Sequence, residues 1–117
     1  KHTEADLDHY VGEGVVKMNV LKVSAKSDPN AVAGAIIGVL KDEREVEIKA
    51  IGAGAINQSI KAIAISRGYA VSAGEDLVCV PEFSNVIIDD EEKTAINLTV
   101  LKRTRNKVFS DEDEIKV

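Results

Sequence analysis

Three lysines accompany two predicted strand-to-helix turns. Lys22 and Lys26 lie on and just after an apolar run ending KVSAKS, and Lys49 stands three residues before the first glycine of IGAGAIN. Ammonium groups in such places neutralise phosphates one at a time, which gives salt-dependent, sequence-tolerant binding. The glycine turn adds a second device, because N–H groups opening a helix beyond Gly52 and Gly54 attract anions without carrying a charge. Ser27 and Asn57 can donate further hydrogen bonds to phosphate oxygens. The candidate binding set is therefore Lys22, Lys26, Ser27, Lys49, Gly52, Gly54 and Asn57, with Lys61 and Arg67 as weaker members. For any one of them, a solvated side chain beside a turn is the simpler account.

IGAGAIN also invites an enzymatic reading, as the phosphate-cradling turn of a dinucleotide fold. Gly52 and Gly54 supply its first two glycines, but Asn57 holds the third position, where a side chain crowds helix against strand. The acid such folds carry about 20 residues on, at the end of the next strand, has only Glu75 as a candidate, and Glu75 precedes a strand. No Ser-His-Asp, Cys-His or paired-carboxylate arrangement appears, since His2 and His9 both lie near the N-terminus. Glu4, Asp6 and Asp8 beside them repeat no known ligand spacing, so a solvated acidic tail is expected there. Cys79, within LVCV, reads as a small buried hydrophobe. The expectation is no catalytic residue, no metal and no cofactor.

The elements that must position these residues centre on Glu45 to Gly68. Val46, Ile48 and Ala50 alternate with Glu45, Glu47 and Lys49, so one face of a strand is core and the other wet. Ala55 to Arg67 continues as a helix with Ile56, Ile60, Ile63 and Ala64 at its inward spacing, and Gly68 is placed to close it in a left-handed conformation. Upstream, Val20 to Ala25 alternates as a first strand. Ser27 or Asp28 then caps a helix whose first residue is Pro29, where the missing N–H costs nothing. Its bulky side is Val32, Ile36, Val39 and Leu40; its smooth side is Ala31, Gly34, Ala35 and Gly38. A helix-interior glycine costs on the order of 1 kcal/mol relative to alanine, so tight contact of the smooth side with the sheet is expected. Downstream, Leu77 to Val80 is a strand that Pro81 interrupts, which fits a bulge or a sheet edge. Phe83 to Ile88 and Thr94 to Lys102 form a hairpin around Asp89, Asp90, Glu91 and Glu92. Two right-handed crossovers put both helices on one face of a four-stranded sheet, an α+β layout with the opposite face free.

At 117 residues the chain has room for one domain. Aromatic residues make up 3%, and Tyr10, Tyr69, Phe83 and Phe109 are too scattered to build a stacking platform for single strands. The net charge of −5 divides evenly enough that no segment is strongly basic, so polyanion binding must come from a local patch. Residues 1–17 read as an N-terminal extension, 18–103 as the domain and 104–117 as a charged tail. Surplus apolar surface on the second helix, where Ile65 lies off the main stripe and Ser59, Ala62 and Ser66 line another face, suggests burial against a second copy. No run is long enough to span a membrane, and a cytoplasmic location is expected.

VLKVSAKSDPNAVAGAI, EIKAIGAGAINQSIKAIAISRGY, LVCVPEF and EKTAINLTV together closely resemble the stage V sporulation protein S family of spore-forming bacteria and their relatives. The resemblance covers about Met18 to Arg103, and KVSAKS and AIGAGA are its most distinctive segments. That family is in turn similar to the Alba proteins, dimeric nucleic-acid binders of archaea. The resemblance implies an Alba-like two-layer sandwich of order β-α-β-α-β-β, with two helices on one face of a four-stranded mixed sheet, and a homodimer. In Alba-like proteins a lysine-bearing turn after the first strand contacts the phosphate backbone; Lys26 occupies that turn, with Ser27 where a second lysine is typical. After the second strand, Lys49, Ala50, Gly52, Ala55 and Ile56 follow the Alba pattern with one residue inserted, while Ile51 and Ala53-Gly54 replace its two arginines. With that resemblance the lysine cluster points to modest binding of DNA or RNA by a non-enzymatic, sporulation-associated regulator. The alternative is a protein-assembly module acting in sporulation without nucleic acid.

Overall fold

Alternation in β4 (Glu45–Ala50) turns Val46, Ile48 and Ala50 into the core and leaves Glu45, Glu47 and Lys49 half-exposed on the opposite face. A computed structural model describes residues 10–11, 14–15 and 19–104 of the chain. Two short strands, β1 (Tyr10–Val11) and β2 (Gly14–Val15), pair antiparallel in a sheet of their own. The main fold adds β3 (Val20–Val23) and α1 (Pro29–Leu40) before β4, then α2 (Ala53–Ser72), β5 (Glu75–Ile88) and β6 (Glu91–Thr104) after it. The four-stranded sheet has the order β3-β4-β6-β5, with β3 parallel to β4 and the other pairs antiparallel. This is the expected β-α-β-α-β-β arrangement. A mixed sheet of this size is not the doubly wound one that a dinucleotide fingerprint requires.

Both helices cover the face carrying Val46 and Ile48, and the core gathers Val23, Ile36, Leu40, Ile63, Leu98 and Val100 around them. Asp28 caps α1: its Oδ1 accepts from the Asn30 N–H at 3.1 Å, and Pro29 takes the first turn. The smooth side of α1 does not meet the sheet. Ala31, Gly34, Ala35 and Gly38 are exposed, and a Cβ at either glycine would meet nothing within 4 Å, because the bulky side and Ala33 turn inward.

The second helix departs further from its sequence pattern. It runs through Gly68 to Ser72, and the positive φ of Gly74, +85°, accompanies the turn that follows. Its inward face is Ala55, Ser59, Ala62, Ile63 and Ser66, while Ile60 is 48% exposed. Small residues win because α1 lies close: the hydroxyls of Ser59 and Ser66 donate back to the Ala55 and Ala62 carbonyls at 2.8 and 2.9 Å, so burial strands no polar atom.

Pro81 does not interrupt its strand. β5 is one continuous outer strand, the position in a sheet that tolerates a missing N–H. Only Asp89 and Asp90 turn the hairpin, both at positive φ (53° and 65°), as a two-residue hairpin loop of the mirror-image type demands. Because β4 ends opposite Ile96, the hairpin beyond Phe83 and Ile96 pairs only with itself and projects as a two-stranded arm. The expected extension and tail fall outside the described residues except at 10–11, 14–15 and 104.

Candidate nucleic-acid interface

Parallel pairing of β3 with β4 sets Lys22 directly beside Lys49. Val23 and Ala50 point inward, so both lysines project from the sheet face away from the helices. Like charges directly opposite one another destabilise a sheet, and here they stand where the two parallel strands end. A recess of about 320 Å³ opens next to them, lined by Lys22, Lys49, Ser24, Ala25, Ile51 and the hairpin arm.

The turn that follows β3 is built largely from its own serines. Ser27 N–H donates to the Ser24 carbonyl at 3.1 Å, the Ser24 N–H donates to Ser27 Oγ at 2.9 Å, and the Lys26 N–H donates to Ser24 Oγ at 3.1 Å. From α2, Gln58 Nε2 donates to the Ser27 carbonyl at 2.8 Å. These bonds hold the backbone around the exposed Lys26 in one conformation. Ser27 thus serves the turn's own architecture.

The glycines explain how α2 comes so near. A Cβ at Gly54 would lie 2.7 Å from the Cβ of Ala25, so only glycine lets the helix start against the Lys26 turn. Gly52 stands at the N-cap with φ +93°, a conformation that side chains resist, and makes no side-chain cap bond. The first intrahelical bond runs from the Ile56 N–H to the Gly52 carbonyl, 3.1 Å, which leaves the N–H groups before it without an intrahelical acceptor. Asn57 is exposed on the same opening stretch of α2, and Lys61 is exposed one turn on.

Arg67 belongs to a different assembly. Its Nε donates to Asp76 Oδ1 at 2.6 Å and its Nη2 to Oδ2 at 3.2 Å, while Arg103 Nη2 reaches the same Oδ2 at 3.3 Å and the Leu77 N–H reaches Oδ1 at 2.7 Å. The Arg67 guanidinium and the Leu77 N–H, with help from Arg103, hold the buried Asp76 carboxyl well below the usual carboxylate range. That cluster ties the C-terminal half of α2 to β5 and β6. Half-burial pushes the free Cys79 thiol up, away from the thiolate form that reacts. Among the described residues no cluster of His, Cys, Asp and Glu could hold a metal, and no helix is long and apolar enough to cross a membrane.

Of the predicted residues, Lys22, Lys26, Ser27, Lys49, Gly52 and Gly54 come together at the carboxyl ends of the parallel strands, with Asn57 close by on α2. Gln58 and the apolar walls Ile51, Val86 and Ile88 were not legible, because neither residue type nor periodicity marks a carbonyl clamp or a recess between distant segments.

An α+β fold with this strand order is Alba-like. The chain is similar to Alba from Thermoplasma volcanium, with a TM-score of 0.52 at 13% sequence identity, the match covering 74% of this chain and 100% of that one. The sequence pattern of the family described as Stage V sporulation protein S (SpoVS) matches residues 19–103, and the chain belongs to that family.

Proposed function

We propose that the chain is a non-enzymatic nucleic-acid-binding regulator, acting as a cytoplasmic homodimer in sporulation. The observation that carries this reading is the convergence of Lys22, Lys49 and the Lys26 turn beside the N-terminus of α2, which has no side-chain cap. Open strand ends and a helix N-terminus are where an α/β layer most readily receives an anion. The resemblance to Alba proteins supports a polyanion as the ligand, and the family description supports the link to sporulation. With a net charge of −5 the attraction is local, so binding is modest and salt-sensitive.

A second copy doubles the patch. Ile60 at 48%, Phe83 at 78% and Ile87 at 70% exposure leave apolar surface that a dimer would cover. The same surface is what favours the second reading, a protein-assembly module whose lysines are incidental. Replacing Lys26→Glu together with Lys49→Glu separates the two. The variant should stay folded and dimeric while losing at least about tenfold in affinity for labelled DNA or RNA at low salt; a wild-type chain that retains neither nucleic acid favours assembly.

A further inference from the structure

Resting on that nucleic-acid reading, we infer that the recess between the sheet face and the hairpin arm receives one unpaired nucleobase, its phosphate lying on Lys49 and Lys22, so that single strands bind in preference to duplexes. The recess holds about 320 Å³, at the lower end of the range in which pockets take small planar ligands. Its floor is small, with Ala95 buried, and its walls are aliphatic: Ile51 on one side and, on the other, Val86 and Ile88 of the arm, which strand alternation turns to the same face. Ile51 and Ile88 are only partly covered in the single chain, so an apolar face entering between them removes surface from water.

A duplex cannot make that contact. Its bases present edges and keep their faces stacked, whereas an unpaired nucleotide turns its flat face out at little cost. The scarcity of aromatic residues excludes a stacking platform, but a slot of branched aliphatics can grip a ring from both sides without one. Charge sits where the nucleotide needs it. Lys22 and Lys49 line one side of the recess, and Lys26 follows Ala25 of the same lining in the next turn, placed for a neighbouring phosphate. Among the described residues the uncharged polar side chain in the lining is that of Ser24, too little to read a base edge, so the slot accepts any base.

The test measures affinity of the full chain, at one low salt concentration, for a labelled single strand of about 12 nucleotides, as DNA and as RNA, and for a duplex of the same sequence. The wild type should hold the single strand about tenfold tighter than the duplex. Ile51→Ser with Ile88→Ser removes both partly exposed walls without altering charge and should lower single-strand affinity about tenfold while leaving duplex affinity within about twofold. Ala95→Leu, which fills the floor, should act in the same direction, so a folding defect in one variant does not decide the outcome. Equal wild-type affinity for both forms, or wall variants that lower both alike or neither, overturns the slot and leaves nucleic-acid binding standing. Displacement by free thymidine monophosphate as effective, per nucleotide, as by unlabelled strand also overturns it, in favour of a free nucleotide. A wild type that binds neither strand form removes both the function proposed above and this one.

Discussion

Gly54 is where a single missing methyl group decides the geometry of the candidate interface. An alanine there would press its Cβ to 2.7 Å from that of Ala25, and neither atom can rotate away, so helix and turn must separate. Overpacking of that kind costs about 1–3 kcal/mol. Gly54→Ala should therefore lower the melting temperature by several degrees and weaken nucleic-acid binding as well, whereas Gly68→Ala, with nothing within 4 Å, should do neither. Asp76 sets a pH dependence. Its folded pKa lies below the value of about 3.9 that an unfolded aspartate has. The carboxylate therefore contributes stability above about pH 4 that is lost as the pH falls from there towards the folded pKa. Denaturant midpoints should fall in that window, and the part lost by the wild type but not by Asp76→Asn reports this residue; identical profiles would show that the arginine pair does not stabilise the fold.

Helix α1 shows an element whose chemistry is open to improvement. Gly34 and Gly38 lie in its exposed interior with free space around them, so Gly34→Ala and Gly38→Ala should each stabilise by about 0.5–1 kcal/mol, raising the melting temperature by a few degrees. A loss of stability or a change in oligomeric state, measured by calorimetry and sedimentation, would mean that another chain packs on the glycines. The element-level pattern was legible wherever one residue type faced one environment. The alternation of Val46, Ile48 and Ala50 gave β4 its two faces, and Asp28-Pro29 marked the start of α1. It failed where packing between two helices overrode hydropathy. Ser59 and Ser66 went inside because they are small and bond to their own helix, which left Ile60 outside. Gly68 looked like a helix end because it is a glycine, yet Gly74 supplies the positive φ beyond the real one. Lys26, Lys49 and the two glycines were legible as flanks of turns, while their convergence depends on the register of β3 with β4 and on the Gln58 clamp, neither of which local sequence encodes.

At the scale of the whole molecule, an acidic chain carries a small basic rim at one end and uncovered apolar side chains on α2 and the hairpin. In the proposed homodimer, apolar contact would join the copies and the two rims would add. Phe83→Asp with Ile87→Asp should convert a dimer to a monomer in sedimentation and weaken binding because the second rim is gone; a variant that sediments unchanged would place the interface elsewhere. The most direct test of the whole account is the salt dependence of binding to a single strand, wild type against Lys26→Glu with Lys49→Glu. The logarithm of the wild-type affinity should fall linearly with the logarithm of salt concentration, and the variant's slope should be shallower by about 0.7 for each phosphate that its side chains no longer neutralise. Superimposable lines for the two proteins would show that these lysines do not hold the phosphate chain.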